Sequence, residues 1–209
     1  MAMTALVTGF GPFPGAPFNP TGPLVKRLAH LRRPGLAGIK IIPYVFLTSY
    51  AAVDSELPKL IARYKPDMLL MFGLAPRART VRVETRARNA LALLPDISGR
   101  SLGRRVIAPG APSAMSLLTP ARALLAAFRA AHLPTALSRD AGRYLCNFLC
   151  WRAAEAARKN GPRVIAFVHI PPIPRTPRPL TKHRKPGLAD LTRAGSAILI
   201  ALAAARRHV

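Results

Sequence analysis

The chain has 209 residues, 50% of them hydrophobic and 6% aromatic, so it is long enough to bury one substantial core of small and aliphatic side chains. Its 32 Lys and Arg against 8 Asp and Glu give a formal charge of +24, which attracts polyanions. The basic residues are scattered, and no zinc-finger spacing, RNA-binding signature or repeat accompanies them, so nucleic-acid binding is disfavoured as the main function; an Arg- and Ala-rich lineage would carry the same charge.

The sequence also sets expectations about location. Its longest uninterrupted apolar run, AILIALAAA at 197–205, is much shorter than the roughly 18 residues that span a bilayer, so no membrane segment is expected. The N-terminus, MAMTALVTGF, has no basic region typical of a secretory signal. Because the chain has 2 cysteines and no such signal, we expect it in a reducing compartment, the cytoplasm.

Short apolar runs alternate with helical patterns along the chain. In chain order the predicted elements are a strand over 4–10, a helix over 23–31, a strand over 39–47, a helix over 49–64, strands over 67–74 and 80–89, helices over 116–132 and 142–160, a strand over 163–171 and a helix over 188–206. Asn19 is predicted to cap the first helix and Asp140 the fourth, with Gly161 after its end. Pro58 is expected to break or kink the second helix.

Buried strands that alternate with helices predict a mixed, largely parallel sheet covered by helices on both faces. We predict a single domain over 1–209, with a basic Pro-rich loop over 171–187 and a C-terminal helix over 188–209. Functional sites in such folds gather at the carboxyl ends of strands. That rule points to the loop after Phe10, the turn after Leu74 and the strand end at His169.

The stretch DAGRYLCNFLCW holds both cysteines, one helical turn apart. Cys146 lies near the start of the helix predicted from Asp140, where the macrodipole favours a thiolate. Cys150 lies one turn deeper, beside Trp151, and is expected to be an inert core residue. A buried structural role is the alternative for either cysteine. Two cysteines four residues apart, with one distant histidine, do not match the spacing of zinc ligands. No metal site is therefore predicted.

A histidine and a glutamate are the other candidate reactive groups. His169 is either a core residue with satisfied hydrogen bonds or the base that a cysteine nucleophile needs. Glu84 is flanked by Arg82 and Arg86, which makes a surface ion pair the simplest interpretation. The alternative is a carboxylate that orients His169, as the third group of a catalytic triad does.

Aromatic residues are concentrated in the loop after the first strand. Phe10, Phe13 and Phe18 alternate there with Gly and Pro. These rings either pack within the loop or form the wall of an apolar pocket at the strand end.

Four segments together resemble a known family. TGFGPFPGAPFNPTG, GLAPRARTVRVETRARN, DAGRYLCN and FVHIP occur in this order between about residues 4 and 172. They are similar to the pyroglutamyl peptidase I family, cysteine peptidases that remove an N-terminal pyroglutamyl residue. The resemblance implies a three-layer α/β/α sandwich with Cys146 as nucleophile, His169 as general base and Glu84 as the third member of a triad.

The same resemblance implies a substrate and a binding pocket. It places Phe10 and Phe13 against the lactam ring, with Asn19 in the Asn-Pro step of the same loop. A pyroglutamyl peptide would be cleaved through an acyl-enzyme without a metal or other cofactor, by a protein that forms dimers or tetramers. Two alternatives stay open: a protein of this fold with weak or no hydrolysis that binds polyanions such as nucleic acid, and an amide hydrolase that uses the same triad on a non-peptide lactam.

The sequence departs from the family pattern around the glutamate. Arg82 stands where the family usually has Ser or Thr, Thr85 where it has a basic residue, and Arg86 where it has an aliphatic one. The segment ALALLPD at 90–96 replaces a polar stretch that lies near the substrate in the family. Binding of the peptide or of the oxyanion is therefore expected to differ in this chain.

Overall fold

The computed structural model describes residues 2–13, 15–173 and 186–208. The strands are β1 (Met3–Phe10), β2 (Ile39–Phe46), β3 (Met68–Leu74), β4 (Val81–Glu84), β5 (Arg86–Arg88), β6 (Ala114–Ser116), β7 (Thr135–Ser138) and β8 (Val164–Ile170). The helices are α1 (Thr21–Ala29), α2 (Tyr50–Tyr64), α3 (Ala121–Ala130), α4 (Leu145–Arg158) and α5 (Leu188–Arg206).

A 6-stranded sheet in the order β2-β1-β3-β8-β4-β7 forms the centre of the fold. Strands β2, β1, β3 and β8 are parallel to one another, whereas β4 is antiparallel to β8 and parallel to β7. Strands β5 and β6 form a separate antiparallel pair. The prediction of a mixed, largely parallel sheet is therefore confirmed.

Helices cover both faces of this sheet because its central strands are apolar on both sides. Successive side chains of a strand point to opposite faces. Val7 and Leu70 accordingly pack in the core that contacts α1, α3 and α5, whereas Leu6 and Leu69 pack in the core that contacts α2 and α4. Each fully buried aliphatic side chain contributes roughly 2 kcal/mol. The resulting three-layer α/β/α sandwich agrees with the predicted fold class.

Among the described residues, α5 is long and apolar enough to cross a membrane by length and composition alone. Core helices of soluble proteins pass the same test. This helix packs against α1 and α3, and it buries a face that includes Leu191, Ile198 and Leu202. Burial in the core accounts for its apolar character, and the expected absence of a membrane segment stays a prediction.

The helix that carries both cysteines begins later than predicted. Its N-cap is Tyr144, and its first residue is Leu145 rather than one next to Asp140. Both carboxylate oxygens of Asp140 are used elsewhere, because Oδ1 accepts a hydrogen bond from Gly142 N and Oδ2 pairs with Arg88. Gly142 also has a φ of +85°, which no right-handed helix accommodates. The predicted cap at Asp140 is therefore wrong.

Other element boundaries also differ from the predictions. Pro20, not Asn19, is the N-cap of α1. Helix α2 continues through Pro58, whose exposed position limits the cost of the missing N–H. The strand predicted over 80–89 is interrupted at Thr85 into β4 and β5, and β6 and β7 were not predicted as strands. Most of the predicted basic loop lies outside the described residues.

Candidate active site

The carboxyl ends of β1, β3 and β8 open into one cavity of about 500 Å³. This volume lies within the range typical of small-molecule sites. All the strand ends that the sequence pointed to contribute to it. The cavity is lined by Phe10, Phe13, Asn19, Thr48, Leu74, Ala75, Pro76, Arg82, Asp140, Ala141, Gly142, Arg143, Tyr144, Leu145, Cys146 and His169.

Cys146 lies in the first turn of α4, closer to the helix start than the sequence predicted. The first hydrogen bond of the helix is donated by Phe148 N to Tyr144 O at 3.0 Å, so the N–H groups before Phe148 have no acceptor within the helix. Cys146 is partly exposed in the cavity. Cys150 is fully buried, and burial raises the pKa of its thiol well above the usual range. The two cysteines therefore differ in their access to the cavity.

His169 lines the cavity, and Glu84 is buried behind it. Nδ1 of His169 lies 2.8 Å from Oε1 of Glu84, although the residues are 85 positions apart. Both side chains are buried. Because Glu84 occupies Nδ1, the other ring nitrogen of His169 is available to Cys146, which lines the same cavity. Glu84 therefore pairs with His169 and not with Arg82 or Arg86 at the surface.

The ionisation of His169 depends on these two neighbours. Burial by itself would lower the pKa of His169, but charge and hydrogen bonding from Cys146, followed by those from Glu84, raise it to about 9. The imidazole is therefore held in its protonated form at neutral pH. A protonated imidazole beside a sulfur is the arrangement that a thiolate nucleophile requires.

Asn147 is buried next to Cys146, and its side chain anchors the start of α4 to the backbone of β5 and of the residues after it. Its Oδ1 accepts from Arg88 N at 2.8 Å, and its Nδ2 donates to Arg88 O at 2.8 Å and to Ala90 O at 3.0 Å. These bonds join the first turn of α4 to β5 and the chain that follows it. The asparagine in the LCN motif is thus a positioning residue for Cys146.

Gly73, near the end of β3, leaves space for the sulfur. A Cβ at this position would lie 2.8 Å from Cys146 Sγ and 2.7 Å from the Phe167 ring. Gly73 pairs directly with His169 across the β3–β8 ladder. The absence of a side chain here therefore allows the thiol to approach the sheet beside the histidine.

The predicted aromatic wall is present in part. Phe10 packs its ring 6.0 Å from that of Phe46, and Phe13 also lines the cavity, but Phe18 does not. The Asn19 side chain accepts hydrogen bonds from the backbone and hydroxyl of Thr21, and it donates to the backbone of the loop. Its geometry favours a role in shaping the loop that carries the rings. Its direct contact with substrate stays a prediction.

Several lining residues were not predicted as site residues. Tyr144 and Arg143 stand inside the DAGRYLCN motif, which gave a signal for them, whereas nothing local marked Thr48 at the end of β2. The divergent segment 90–96 lies behind these residues: Ala92 N donates to Arg143 O at 2.6 Å, and Tyr144 Oη donates to Pro95 O at 2.8 Å. Its backbone therefore helps to position the rim of the cavity.

The donor groups in the cavity suit nucleophilic catalysis. Across residues 2–13, 15–173 and 186–208, no group of 3 or more His, Cys, Asp and Glu side chains is arranged to hold a metal ion. The cavity instead combines one thiol, one imidazole and the carboxylate behind it. This set can attack a carbonyl carbon and return a proton to the leaving group.

Comparisons with known proteins agree with this geometry. The family model for pyroglutamyl peptidases matches residues 3–208. Pyrrolidone-carboxylate peptidase of Pyrococcus furiosus is 32% identical over 174 residues, which cover 82% of each chain. Its namesake in Deinococcus radiodurans is 32% identical over 173 residues, covering 80% of this chain and 78% of the relative.

Solved structures of similar fold include enzymes with the same name. A mutant pyrrolidone carboxyl peptidase from Pyrococcus furiosus superposes with a TM-score of 0.83 at 28% identity, covering 97% of this chain and 99% of the other. Pyroglutamyl peptidase I of Bacillus amyloliquefaciens gives a TM-score of 0.84 at 26% identity, covering 97% of both chains. The similarity therefore extends over nearly the whole chain.

Proposed function

The chain belongs to the pyroglutamyl peptidase family of cysteine peptidases, and we propose that it removes N-terminal pyroglutamate from peptides through Cys146, His169 and Glu84. One observation carries the proposal. The partly exposed thiol, the histidine and its buried carboxylate converge at one cavity, which Phe10 and Phe13 also line.

The first half of the proposed reaction forms an acyl-enzyme. The Cys146 thiolate attacks the carbonyl carbon of the pyroglutamyl group, and a C–S bond forms. As the tetrahedral intermediate collapses, the C–N bond breaks and protonated His169 gives its proton to the leaving amine. The products are a thioester on Cys146 and a peptide shortened by its pyroglutamyl residue.

The second half releases the acyl group. Neutral His169 removes a proton from water, which attacks the thioester carbonyl, and the C–S bond breaks to give 5-oxoproline and the Cys146 thiolate. The proton stays on His169, so the ion pair is restored. The unpaired N–H groups at the start of α4, which include those of Leu145 and Cys146, suit stabilisation of the oxyanion in both steps.

The aromatic side of the cavity supports a preference for the lactam. A pyroglutamyl group is flat and neutral, with no ammonium to be paired. Phe10 and Phe13 offer it an apolar surface. Asp140 is the acid among the described residues that line the cavity, and its carboxylate is held by Arg88 and by Gly142 N. A peptide with an ordinary ammonium terminus would lose its hydration there without gaining a partner.

The direct test is release of a fluorophore from a neutral pyroglutamyl amide by the folded, reduced protein. We expect hydrolysis that iodoacetamide abolishes, with one alkyl group per chain on Cys146 because Cys150 is buried. Mass spectrometry of the alkylated protein locates the modified cysteine. Folded, reduced protein that does not cleave the amide would contradict the proposal and favour the polyanion-binding alternative, whose hallmark is binding that weakens steeply with salt.

A second test concerns the space that Gly73 leaves for the nucleophile. We expect Gly73→Ala to lower kcat/KM by about 100-fold, since the new methyl group must displace the Cys146 sulfur or the Phe167 ring. Gly38→Ala is the matched control, because a Cβ there meets nothing within 4 Å. Kinetics and thermal unfolding of both variants separate a local displacement from a loss of fold. Wild-type kcat/KM in Gly73→Ala would show that this contact does not constrain the sulfur.

Location and assembly follow as parts of the same proposal. Cys146 and Cys150 are both free thiols, and a thiol nucleophile needs a reducing compartment, which supports the cytoplasm. We propose a homo-oligomer, a dimer or tetramer, by analogy with the family. A pyroglutamyl peptide is the proposed substrate, and neither a membrane nor nucleic acid is proposed as a partner.

A further inference from the structure

A basic side of the cavity lies opposite its aromatic side. The strand order β1-β3-β8-β4 separates Phe10, at the end of β1, from Arg82, on β4, by three strand spacings, roughly 14 Å. Gly73 on β3 and His169 on β8 lie between them. Arg82 therefore lies on the opposite side of His169 from Phe10 in the strand order.

Arg82 is the neighbour of His169 in the sheet. The two residues are directly opposite in the antiparallel β4–β8 ladder, where Cβ atoms of such pairs are about 5 Å apart. Because side chains alternate along a strand, Arg82 shares its face with Glu84, which contacts His169. Arg82 is exposed and lines the cavity. The Arg82 side chain thus leaves the sheet next to His169 and lines the same cavity.

Arg143 adds a second guanidinium to this side. This side is only the set of cavity-lining residues that carry positive charge: Arg143 is exposed, lines the same cavity as Arg82 and belongs to the loop that leads into Cys146. Asp140, which also lines the cavity, does not neutralise either arginine. Its Oδ2 accepts from Arg88 at 2.9 Å and its Oδ1 accepts from Gly142 N at 3.0 Å.

The chain has no other acid available for these two arginines. All 8 acidic residues lie in the described part of the chain, and each has partners of its own. These pairs are Asp54 with Arg152, Glu56 with Lys59, Asp67 with Arg206, Glu84 with His169, Asp96 with the backbone of Tyr50, Asp140 with Arg88, Glu155 with Arg152 and Asp190 with Arg193. Within residues 2–13, 15–173 and 186–208, no carboxylate lies within ion-pair distance of Arg82 or Arg143.

We propose that the enzyme prefers pyroglutamyl peptides whose leaving part carries a carboxylate, either the side chain of an acidic residue directly after the pyroglutamyl group or the free C-terminus of a pyroglutamyl amino acid. This substrate class rests on the proposed peptidase activity. Guanidinium groups bind carboxylates with charge-assisted hydrogen bonds. Since both arginines are exposed, the gain is moderate and is screened by salt.

The test compares matched peptides. Pyroglutamyl-Glu-amide against pyroglutamyl-Gln-amide isolates the side-chain carboxylate, and pyroglutamyl-Gln with a free C-terminus against its amide isolates the terminal one. For the preferred carboxylate we expect wild-type kcat/KM to be about tenfold higher than for the neutral peptide at low salt. The ratio should fall to about twofold or less in Arg82→Gln/Arg143→Gln and toward one as salt is raised. Arg129→Gln, on α3 at the other face of the sheet, should keep the wild-type ratio.

The outcomes separate this inference from the proposed function. Equal kcat/KM for charged and neutral peptides, with both hydrolysed, would overturn the preference and leave the peptidase activity intact. A preference that survives loss of both Arg82 and Arg143 would also overturn it. If none of the pyroglutamyl peptides is cleaved, the proposed function and this inference fall together.

Discussion

Cys146→Ser is expected to lower kcat for pyroglutamyl amide hydrolysis by about 10⁴-fold or more. The change replaces one atom with a smaller one, so the fold and the His169–Glu84 pair should be retained. A hydroxyl with its much higher pKa does not ionise beside the imidazole, and the nucleophile is lost. Steady-state kinetics with the fluorogenic amide, together with the melting temperature of the variant, measure the two effects separately.

Cys150→Ala is the matched control for this change. Cys150 is fully buried one turn deeper in α4, so its truncation should cost about 1 kcal/mol of stability while leaving kcat/KM within about twofold. Alkylation by iodoacetamide should still inactivate this variant. A large loss of activity in Cys150→Ala with little loss in Cys146→Ser would mean that the other cysteine is the nucleophile.

Glu84→Gln is expected to lower kcat/KM by roughly 10³-fold, the second large effect. The amide has nearly the shape of the carboxylate but removes the negative charge that faces His169 Nδ1 at 2.8 Å. The variant imidazole would then be free to adopt the wrong tautomer or orientation. The imidazolium that donates the proton to the leaving amine would also be less stable.

The pH profile separates this role from a purely structural one. In the wild type, the raised pKa of His169, about 9, keeps the proton-donating form present at neutral pH, so activity should decline as pH rises through about 9. Glu84 is one of the groups that raise the pKa of His169, so its removal should move this alkaline limb to lower pH. Measurement of kcat/KM from pH 5 to 10 for both proteins tests the direction.

Glu56→Gln controls for the loss of one carboxylate. Glu56 lies on α2, where it forms a surface ion pair with Lys59, so its replacement should leave both the rate and the alkaline limb unchanged. If Glu84→Gln slowed the reaction but kept the wild-type alkaline limb, Glu84 would be holding the structure rather than tuning His169. Wild-type activity in Glu84→Gln would contradict the triad altogether.

The excess of positive charge affects which anions the molecule attracts, both over its surface and at the cavity. With 32 basic residues and only 8 acids, most cations lack an acidic partner within the chain. Scattered over the surface, they would act collectively on polyanions. Arg82 and Arg143 differ because both line one cavity, where they would act on a single small anion.

Much of the architecture could be predicted because it follows from local patterns. Uninterrupted apolar runs such as that of β3 indicate strands buried on both faces, and helical spacing between them indicates the covering layers. The rule that sites lie at the carboxyl ends of strands also predicted the three places that line the cavity: the loop after Phe10, the turn after Leu74 and His169. Likewise, the apolar neighbours of Cys150 predicted its burial, and the prediction that Cys146 lies near a helix start holds although the helix begins at Leu145 instead of next to Asp140.

The predictions that were wrong concerned residues whose local signal is opposed by contacts in the folded protein. Asp140 has the side chain of a helix cap, but its carboxylate binds Arg88, and the left-handed Gly142 delays the helix to Leu145. Pro58 carries a helix-breaking signal that α2 overrides, because the packing of its apolar face is retained. The free energies of helix capping and helix propensity are about a few kcal/mol or less, so tertiary contacts readily outweigh them.

The sequence by itself therefore determined the order of the main helices and central strands, their layered arrangement and the candidate reactive residues, whereas the short strands β6 and β7 were not predicted. Only the tertiary structure decided that β4 runs antiparallel to β8, which places Glu84 against His169 and Arg82 beside it. It also decided that Gly73 would leave space for the sulfur. Ion pairing in the folded chain likewise gives the carboxylates partners other than Arg82 and Arg143, as with Asp140 and Arg88. The physical reason is that strand direction and ion pairing join residues far apart in the chain, and their free energies depend on the summed packing of the whole molecule, which no local pattern encodes.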